Sequence, residues 1–341
     1  MTERRITSMH GAGGEVMGQL LAELVLPRFA DRSGNLLGLS ALDDGALLET
    51  PSTGHLVITT DSHIVKPIFF PGGDIGTLAA AGTLNDLAVM GARPRALTLA
   101  AVIEEGFLLS DLERILDSFL SQLKLTDAAV CCGDTKVMPS GDLDGIILNT
   151  TGIGVAEHVV SDAAIRPGDR VIVSGTIGDH GMALLAARSD FRLETTLQSD
   201  VGAVWPMIEK ALGTSNAGIR AMKDPTRGGL SAALNEMARK ADVSLELEEA
   251  AIPVREEVRG LSELLGISHL EVANEGKAIL IVDPANAESV LETLRTHPMG
   301  KDAAIIGEAT TEYPGRVIVG TEVGGRRFLD MPLGDPVPRI C

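Results

Sequence analysis

Between residues 55 and 320 one pattern recurs: an apolar run of strand type, a glycine-rich turn, then a segment with helical spacing. A chain that alternates in this way has few architectures open to it, because the apolar faces of its sheets must be covered by its own helices. "HLVITTDSHIV" and "RALTLAAVI" read as strands. "GTLAAAGTLNDLAVMG" reads as a small-residue helix packed tightly on a neighbour, and "SDLERILDSFLSQLKL" as an amphipathic helix with Ser110 as its N-cap. "AAVCCG" is the next strand. After "GIILNTTGIGVA", the turn at Pro167-Gly168 opens a new strand, a glycine-rich loop and a helix within "IRPGDRVIVSGTIGDHGMALLAARSD". Helices are expected at 201–212, from Gly229 to about Ala241 and at 285–297, with strands in "SLELEE", "KAILIVD", "AAIIGEAT" and "RVIVG". The fold class is α/β (α+β), in two units spanning 1–160 and 161–330 with no low-complexity segment between them.

Charge narrows the partners. The chain has 341 residues, 45% of them hydrophobic, and its 29 Lys and Arg against 47 Asp and Glu leave a formal charge of −18. Such a field repels phosphate backbones and anionic lipid alike, so neither nucleic acid nor a membrane surface is expected as a partner. A nucleotide would have to come with a divalent cation or bind to local backbone amides. "MTERRITSMHGAGGEVMGQLL" has no apolar run of signal-peptide length, and no later stretch approaches ~20 uncharged apolar residues, so a cytoplasmic protein is expected. There are three cysteines. Cys131 and Cys132 are adjacent, a poor spacing for a mutual disulfide, and read as small residues beside a strand in a reducing compartment.

The third cysteine is the last residue. "MPLGDPVPRIC" carries Pro332, Pro336 and Pro338, which cannot continue a helix and favour extended geometry. Residues 331–341 therefore read as a mobile arm that ends in a thiol, Cys341, with Arg339 close by.

No G-x-x-x-x-G-K-[ST] sequence occurs, and "SGTIGDHG" is a loose relative of the dinucleotide fingerprint that still offers backbone N–H groups at a helix start. More informative are the acids after apolar segments: Asp44 in "LDDGALL", Asp61 in "VITTDS", Asp86 in "LNDLAVMGA", Asp134 in "CCGDTKV" and Asp224 in "MKDPTRGGL". Each alone is an ordinary turn or capping residue. Five at such places suggest converging carboxylates for Mg²⁺ and nucleotide phosphates, with Lys136 and Arg227 as compensating charge.

The ordered set "HGAGG", "TTDSHIVKPIFFPGGDIGTLAAAGTLNDLAVMGARP", "GDTKV", "SGTIGDHG", "DPTRGGL", "ANEGK", "HPMGKDAAIIGE" and "PRIC" resembles the HypE family of hydrogenase maturation proteins, from about residue 8 to 341. Relatives of that family include aminoimidazole ribonucleotide synthetase, selenophosphate synthetase and thiamine-monophosphate kinase, ATP users of the PurM-like fold. The resemblance implies two PurM-like domains, with the N-terminal sheets pairing across a homodimer. It implies a reaction in which the carbamoyltransferase HypF loads the terminal cysteine, ATP drives dehydration of the S-carbamoyl group to a thiocyanate, and the cyano group passes to iron on the HypC–HypD complex. Carried over by motif, metal ligation falls on Asp44, Asp61, Asp86 and Asp224, with Asp43 competing for the place of Asp44. ATP binding falls on Gly72, Gly73, Asn85, Asp86, Asp134, Lys136 and Arg227, and catalysis on Cys341, Glu275 and Lys136. Trp205 and Tyr313 are single, so stacking of adenine on an aromatic ring is not expected.

Two rival classes are open at this point. A selenophosphate synthetase-like enzyme needs a reactive Cys or selenocysteine with a lysine near the N-terminus, and "MTERRITSMHGAGG" has neither. A thiol scaffold or metal chaperone would rely on Cys341 as a lone soft ligand, whereas structural zinc takes four.

Overall fold

The structure, a computed structural model, describes residues 4–7, 10, 19–29, 52–188, 195–215, 218–321, 323–332, 337 and 340. The first unit contains β1 (His55–His63), a small ladder of β2 (Phe69–Phe70) with β3 (Gly73–Asp74), α1 (Ile75–Val89), β4 (Arg93–Glu104), α2 (Leu109–Leu123), β5 (Ala129–Met138) and β6 (Ile146–Ala156). Its main sheet has the order β1-β6-β4-β5, antiparallel except for the β4–β5 pair, which α2 joins as a crossover. α1 lies across β1 and β6, and every residue from Ile75 to Val89 except Asp86 is buried. Asp74 caps this helix, its Oδ1 accepting from the amides of Gly76 and Thr77 at 2.9 Å. Gly76 is needed for the crossing with α2, because a Cβ there would stand 2.0 Å from the Ile115 carbonyl oxygen.

α2 begins two residues earlier than its sequence suggests. Its N-cap is Leu108, with no side-chain cap, and Ser110 lies inside the first turn. The N-terminal segment supplies what a capping side chain would have supplied: Arg5 bridges Leu108, and the Leu109 amide donates to the Arg4 carbonyl.

The second unit holds β7 (Arg170–Val173), α3 (Asp179–Ala187), α4 (Trp205–Ser215), β8 (Ile219–Lys223), α5 (Gly229–Ala241), β9 (Ser244–Glu248), α6 (Glu256–Leu265), β10 (Ile279–Val282), α7 (Ala287–Arg295), β11 (Ala304–Thr310), β12 (Val317–Gly320) and β13 (Arg326–Phe328). Seven strands run in the order β13-β12-β9-β11-β7-β10-β8. Alternation along the inner strands sends side chains into two cores: Val171, Val173, Ile279 and Ile281 pack with α5, while Ile172, Leu280 and Val282 pack with α4 and α7. A sheet covered on both faces explains why "AILIV" reads as an uninterrupted apolar run. The sequence reading lacks β8, β13 and α6, although Val258, Leu261 and Leu265 of α6 fall at helical spacing on its packed side.

The two units share a core. The largest apolar cluster joins Leu78, Leu97 and Phe119 to Met182 and Leu184 of α3, to Val258 and Leu261 of α6, and to Val337 and Ile340 of the C-terminal segment.

Candidate functional site

Alternation along β1 places Thr59, Asp61 and His63 on the face under α1, and leaves Leu56 and Ile58 exposed on the other. Asp61 stands opposite Thr150 of β6. Asp86 is the one residue of α1 that is only partly buried, and its Oδ2 accepts a hydrogen bond from Thr59 Oγ1 at 2.6 Å. Asp224 follows β8 directly, so the second unit contributes a third acid to a group begun by the first. Burial, reinforced by Asp224 and Asp61, pushes the Asp86 carboxyl up to about 7 despite the Thr59 hydroxyl. Asp224 is pushed to about 6, first by burial and further by Asp61. Such values mark carboxylates that repel one another in a poorly solvated place.

Glu275 completes this group. It is 3% exposed, its Oε1 has no hydrogen-bond partner, and burial together with Asp224, Asp200, Asp61 and Asp86 raises its pKa well above that of an ordinary glutamate. Its backbone is held firmly. The amide donates to Asp200 Oδ1 at 3.2 Å, and the carbonyl accepts from Asn85 Nδ2 at 3.1 Å and from the Gly202 amide at 3.3 Å.

Asn85 is committed elsewhere than to phosphate. Nδ2 donates to the Gly202 and Glu275 carbonyls, and Oδ1 accepts from the Val204 amide at 2.8 Å, so the side chain fastens α1 to the second unit. Gly72 and Gly73 likewise meet protein. A Cβ on Gly72, at φ +95°, would lie 2.7 Å from the Ser199 carbonyl oxygen, and one on Gly73 would lie 2.7 Å from the Val201 side chain. The glycine pair lets residues 198–201 approach closely. The "SGTIGDHG" loop is filled in the same manner, since the Gly178 amide donates to Asn274 Oδ1 at 2.7 Å and a Cβ on Gly181 would stand 2.6 Å from Val272.

Asp134 and Lys136 are exposed on β5, at the opposite edge of the sheet from Asp61. Three strand spacings, roughly 14 Å, separate those edges, so one chain by itself does not bring Lys136 to Glu275. Arg227 is exposed just before α5. The cation that bears on Asp86 and Asp224 is instead Lys223, which also pairs with Glu236 at 3.0 Å. Asp43, Asp44, Arg339 and Cys341 lie outside the described residues.

Sequence reasoning missed a second buried group beside the first. Lys277 Nζ is 3.1 Å from Asp200 Oδ2 and 4.0 Å from Asp179 Oδ2, and Arg255 Nε is 3.4 Å from the same Asp179 oxygen. Asp179 Oδ1 is buried without a partner, and burial, with Asp200 nearby, raises this carboxyl. Burial also works to raise Asp200, but Lys277, His180 and the Glu275 amide outweigh it and hold Asp200 below the ordinary range. The signal available in the sequence was "NEGK", which sets Lys277 two residues from Glu275.

Among the described residues, no group of three His, Cys, Asp or Glu side chains is disposed to hold a metal ion unaided. The described acids therefore do not form a metal centre by themselves, and a Mg²⁺ ion there would have to share its ligands with substrate phosphates and water. The raised carboxyls of Asp86 and Asp224 and the unpartnered Glu275 oxygen make up a group that a cation would stabilise.

Residues 42–156 match the N-terminal domain of AIR synthase related proteins and residues 166–320 match their C-terminal domain, which defines the class as PurM-like. The chain is 45% identical over 339 residues to carbamoyl dehydratase HypE of Azotobacter vinelandii, covering 98% of this chain and 97% of that protein. A crystal structure of hydrogenase maturation protein HypE in complex with ATP superimposes with a TM-score of 0.91 at 39% identity, over 98% of this chain and 99% of the other. The crystal structure of a HypE–HypF complex matches with a TM-score of 0.79 at 40% identity, over 94% of this chain and 100% of the matched one. The chain belongs to the HypE family of carbamoyl dehydratases, enzymes of hydrogenase maturation.

Proposed function

We propose that this chain uses ATP and Mg²⁺ to dehydrate an S-carbamoyl group on Cys341 to a thiocyanate, which supplies the cyanide ligands of the [NiFe]-hydrogenase iron. The observation that carries this reading is the convergence of Asp61, Asp86 and Asp224 from both units on Glu275, whose Oε1 is buried and unpartnered. A primary carbamoyl amide does not lose water unaided, because its oxygen leaves poorly. Transfer of the γ-phosphoryl group to that oxygen turns it into phosphate, and the C–O bond then breaks as C≡N forms and both N–H protons depart. Mg²⁺ among the aspartates would offset phosphate charge and relieve the like-charge repulsion that, after burial, raises the pKa of Glu275. Glu275 takes one proton, and the other leaves with phosphate or solvent. General-base assistance of this kind is worth about 10²–10⁴-fold.

Lys136 and Asp134 enter through a homodimer. β1 is a sheet edge with Leu56 50% and Ile58 63% exposed. Closing two such sheets edge to edge would hide that surface and bring β5 of one copy towards β1 of the other. Arg227 is the remaining candidate for phosphate contact and Asp134 a further acid, as is Asp44, which lies outside the described residues. Loading by HypF fits the solved HypE–HypF pair, with delivery to HypC–HypD as the following step in the cytoplasm. Among the described residues no helix is long and apolar enough to cross a membrane.

Glu275→Gln tests the mechanism. The variant should bind ATP and accept carbamoyl on Cys341, yet form thiocyanate at least ~100-fold more slowly. Oxygen-18 in the carbamoyl group should appear in inorganic phosphate when the wild type turns over. Label released as water would overturn the phosphorylation step.

A further inference from the structure

Val337 and Ile340 are 0% and 1% exposed, packed in the core that the two units share. The Ile340 carbonyl oxygen lies 2.9 Å from Nε2 of His180, itself fully buried on α3. A carbonyl can only accept, so Nε2 carries the proton and donates. Nδ1, 2.8 Å from Ser199 Oγ, is then the acceptor of the Ser199 hydroxyl, whose oxygen in turn accepts the Val201 amide at 3.0 Å. Phe70 packs edge-on against the imidazole at 5.4 Å. Burial lowers the affinity of His180 for a second proton, in keeping with this neutral tautomer.

The seat is tied to the catalytic group. Asp200 follows Ser199 and holds the Glu275 amide and Lys277 Nζ, and Gly202 donates its amide to the Glu275 carbonyl. Four consecutive residues thus run from the imidazole that grips Ile340 to the backbone that fixes Glu275.

We propose that His180 is the positioning residue of the C-terminal arm: its Nε2–H holds the Ile340 carbonyl, one peptide before Cys341, and the Ser199–Gly202 segment sets that seat relative to Glu275. The purpose of the seat rests on the reaction proposed above, whereas the seat itself rests only on these contacts. A carbonyl buried among apolar side chains needs a donor, and without one the docked arm loses about tenfold or more in its equilibrium against the undocked arm. Loading by a transferase requires the thiol outside and dehydration requires it inside, so loss of the donor should impair the second step selectively.

The test is the rate at which iodoacetamide labels Cys341 in the full-length protein, read by mass of the C-terminal peptide, with buried Cys131 as the internal reference for unfolding. His180→Ala should label Cys341 about tenfold faster than the wild type while Cys131 stays protected. His180→Gln, whose amide N–H can still reach the carbonyl, should restore most of the protection. In single turnover with carbamoyl-loaded protein, His180→Ala should lower the maximal rate about tenfold and leave the KM for ATP unchanged. Labelling of Cys341 within twofold of the wild type would overturn the proposal. Should His180→Ala expose Cys131 as well, Ser199→Ala decides: it removes the hydroxyl that sets the tautomer, and must speed Cys341 labelling for the proposal to stand. Labelling involves no carbamoyl chemistry, so a failed dehydration reaction in the wild type would sink the proposed function and leave this result intact.

Discussion

Asp86 shows in a single side chain what burial among other carboxylates does to an acid. Its folded pKa of about 7 lies above the ordinary aspartate value of 3.8, so the folded chain holds this proton more tightly than the unfolded chain does. The associated stability is complete below about pH 4 and is lost as the pH rises through about 7. Asn at this position mimics the protonated carboxyl and can still accept from Thr59. Without Mg²⁺ and nucleotide, Asp86→Asn should therefore be more stable than the wild type at pH 8 by about 1–3 kcal/mol, allowing for partial solvation, and the gap should shrink towards pH 4.5. Denaturant melts at the two pH values measure this, and a variant less stable than the wild type at pH 8 would remove the argument. Calorimetry on the same variant should record weakened Mg²⁺–ATP binding. At this scale the sequence pointed to Asp61, Asp86, Asp224 and Glu275 through their motifs, and the structure draws all four together. It could not foretell that Asn85 in the same motif spends its amide on three backbone groups, since hydrogen-bond partners more than a hundred residues away leave no local trace.

Among the elements, α1 shows how the small residues of one helix fix the position of an acid. Gly76 lets α1 meet α2 at the Ile115 carbonyl, and Gly82 lets it lie over His63, where a Cβ would stand 2.9 Å from the imidazole. Asp86 is one turn further along the same helix. Gly76→Ala should destabilise the chain by several kcal/mol, because a 2.0 Å approach to backbone cannot be relieved without moving a helix. Gly260, within α6, has nothing within 4 Å of the added methyl. Gly260→Ala should instead stabilise by about 0.5–1 kcal/mol. Thermal melting of the pair separates close packing from plain helix propensity, and similar shifts in both would refute the packing argument. Here the sequence foresaw a small-residue helix packed tightly on a neighbour, and it was right because glycine and alanine at helical spacing have few other uses. The start of α2 escaped it, since the groups that replace a capping side chain come from residues 4–5.

At the scale of the molecule, Val337 and Ile340 of the C-terminal segment belong to the core that the two units share. Deleting Cys341 alone should leave stability within about 0.5 kcal/mol of the wild type. Deleting 337–341 removes Val337 and Ile340 from a packed site and should cost about 3–6 kcal/mol, at ~1.5–3 kcal/mol for each fully buried aliphatic side chain. Denaturant unfolding of the two truncations gives the comparison, and equal stabilities would mean that the docked state contributes nothing. An arm whose docking is worth a few kcal/mol can still leave its seat often enough to be loaded by a partner.

The sequence by itself determined the alternation of strands and helices, the two units, the family and its acids, because periodicity, turn chemistry and short motifs are local properties that survive without a fold. Only the tertiary structure decided that Asp134 and Lys136 lie across the sheet from Asp61, that Gly72, Gly73 and "SGTIGDHG" are filled by protein, and that His180 grips Ile340. Each of these depends on which strands become neighbours and which segments cross. Such contacts are made between residues far apart in the chain, and they follow from the joint burial of two apolar faces rather than from anything a single segment encodes.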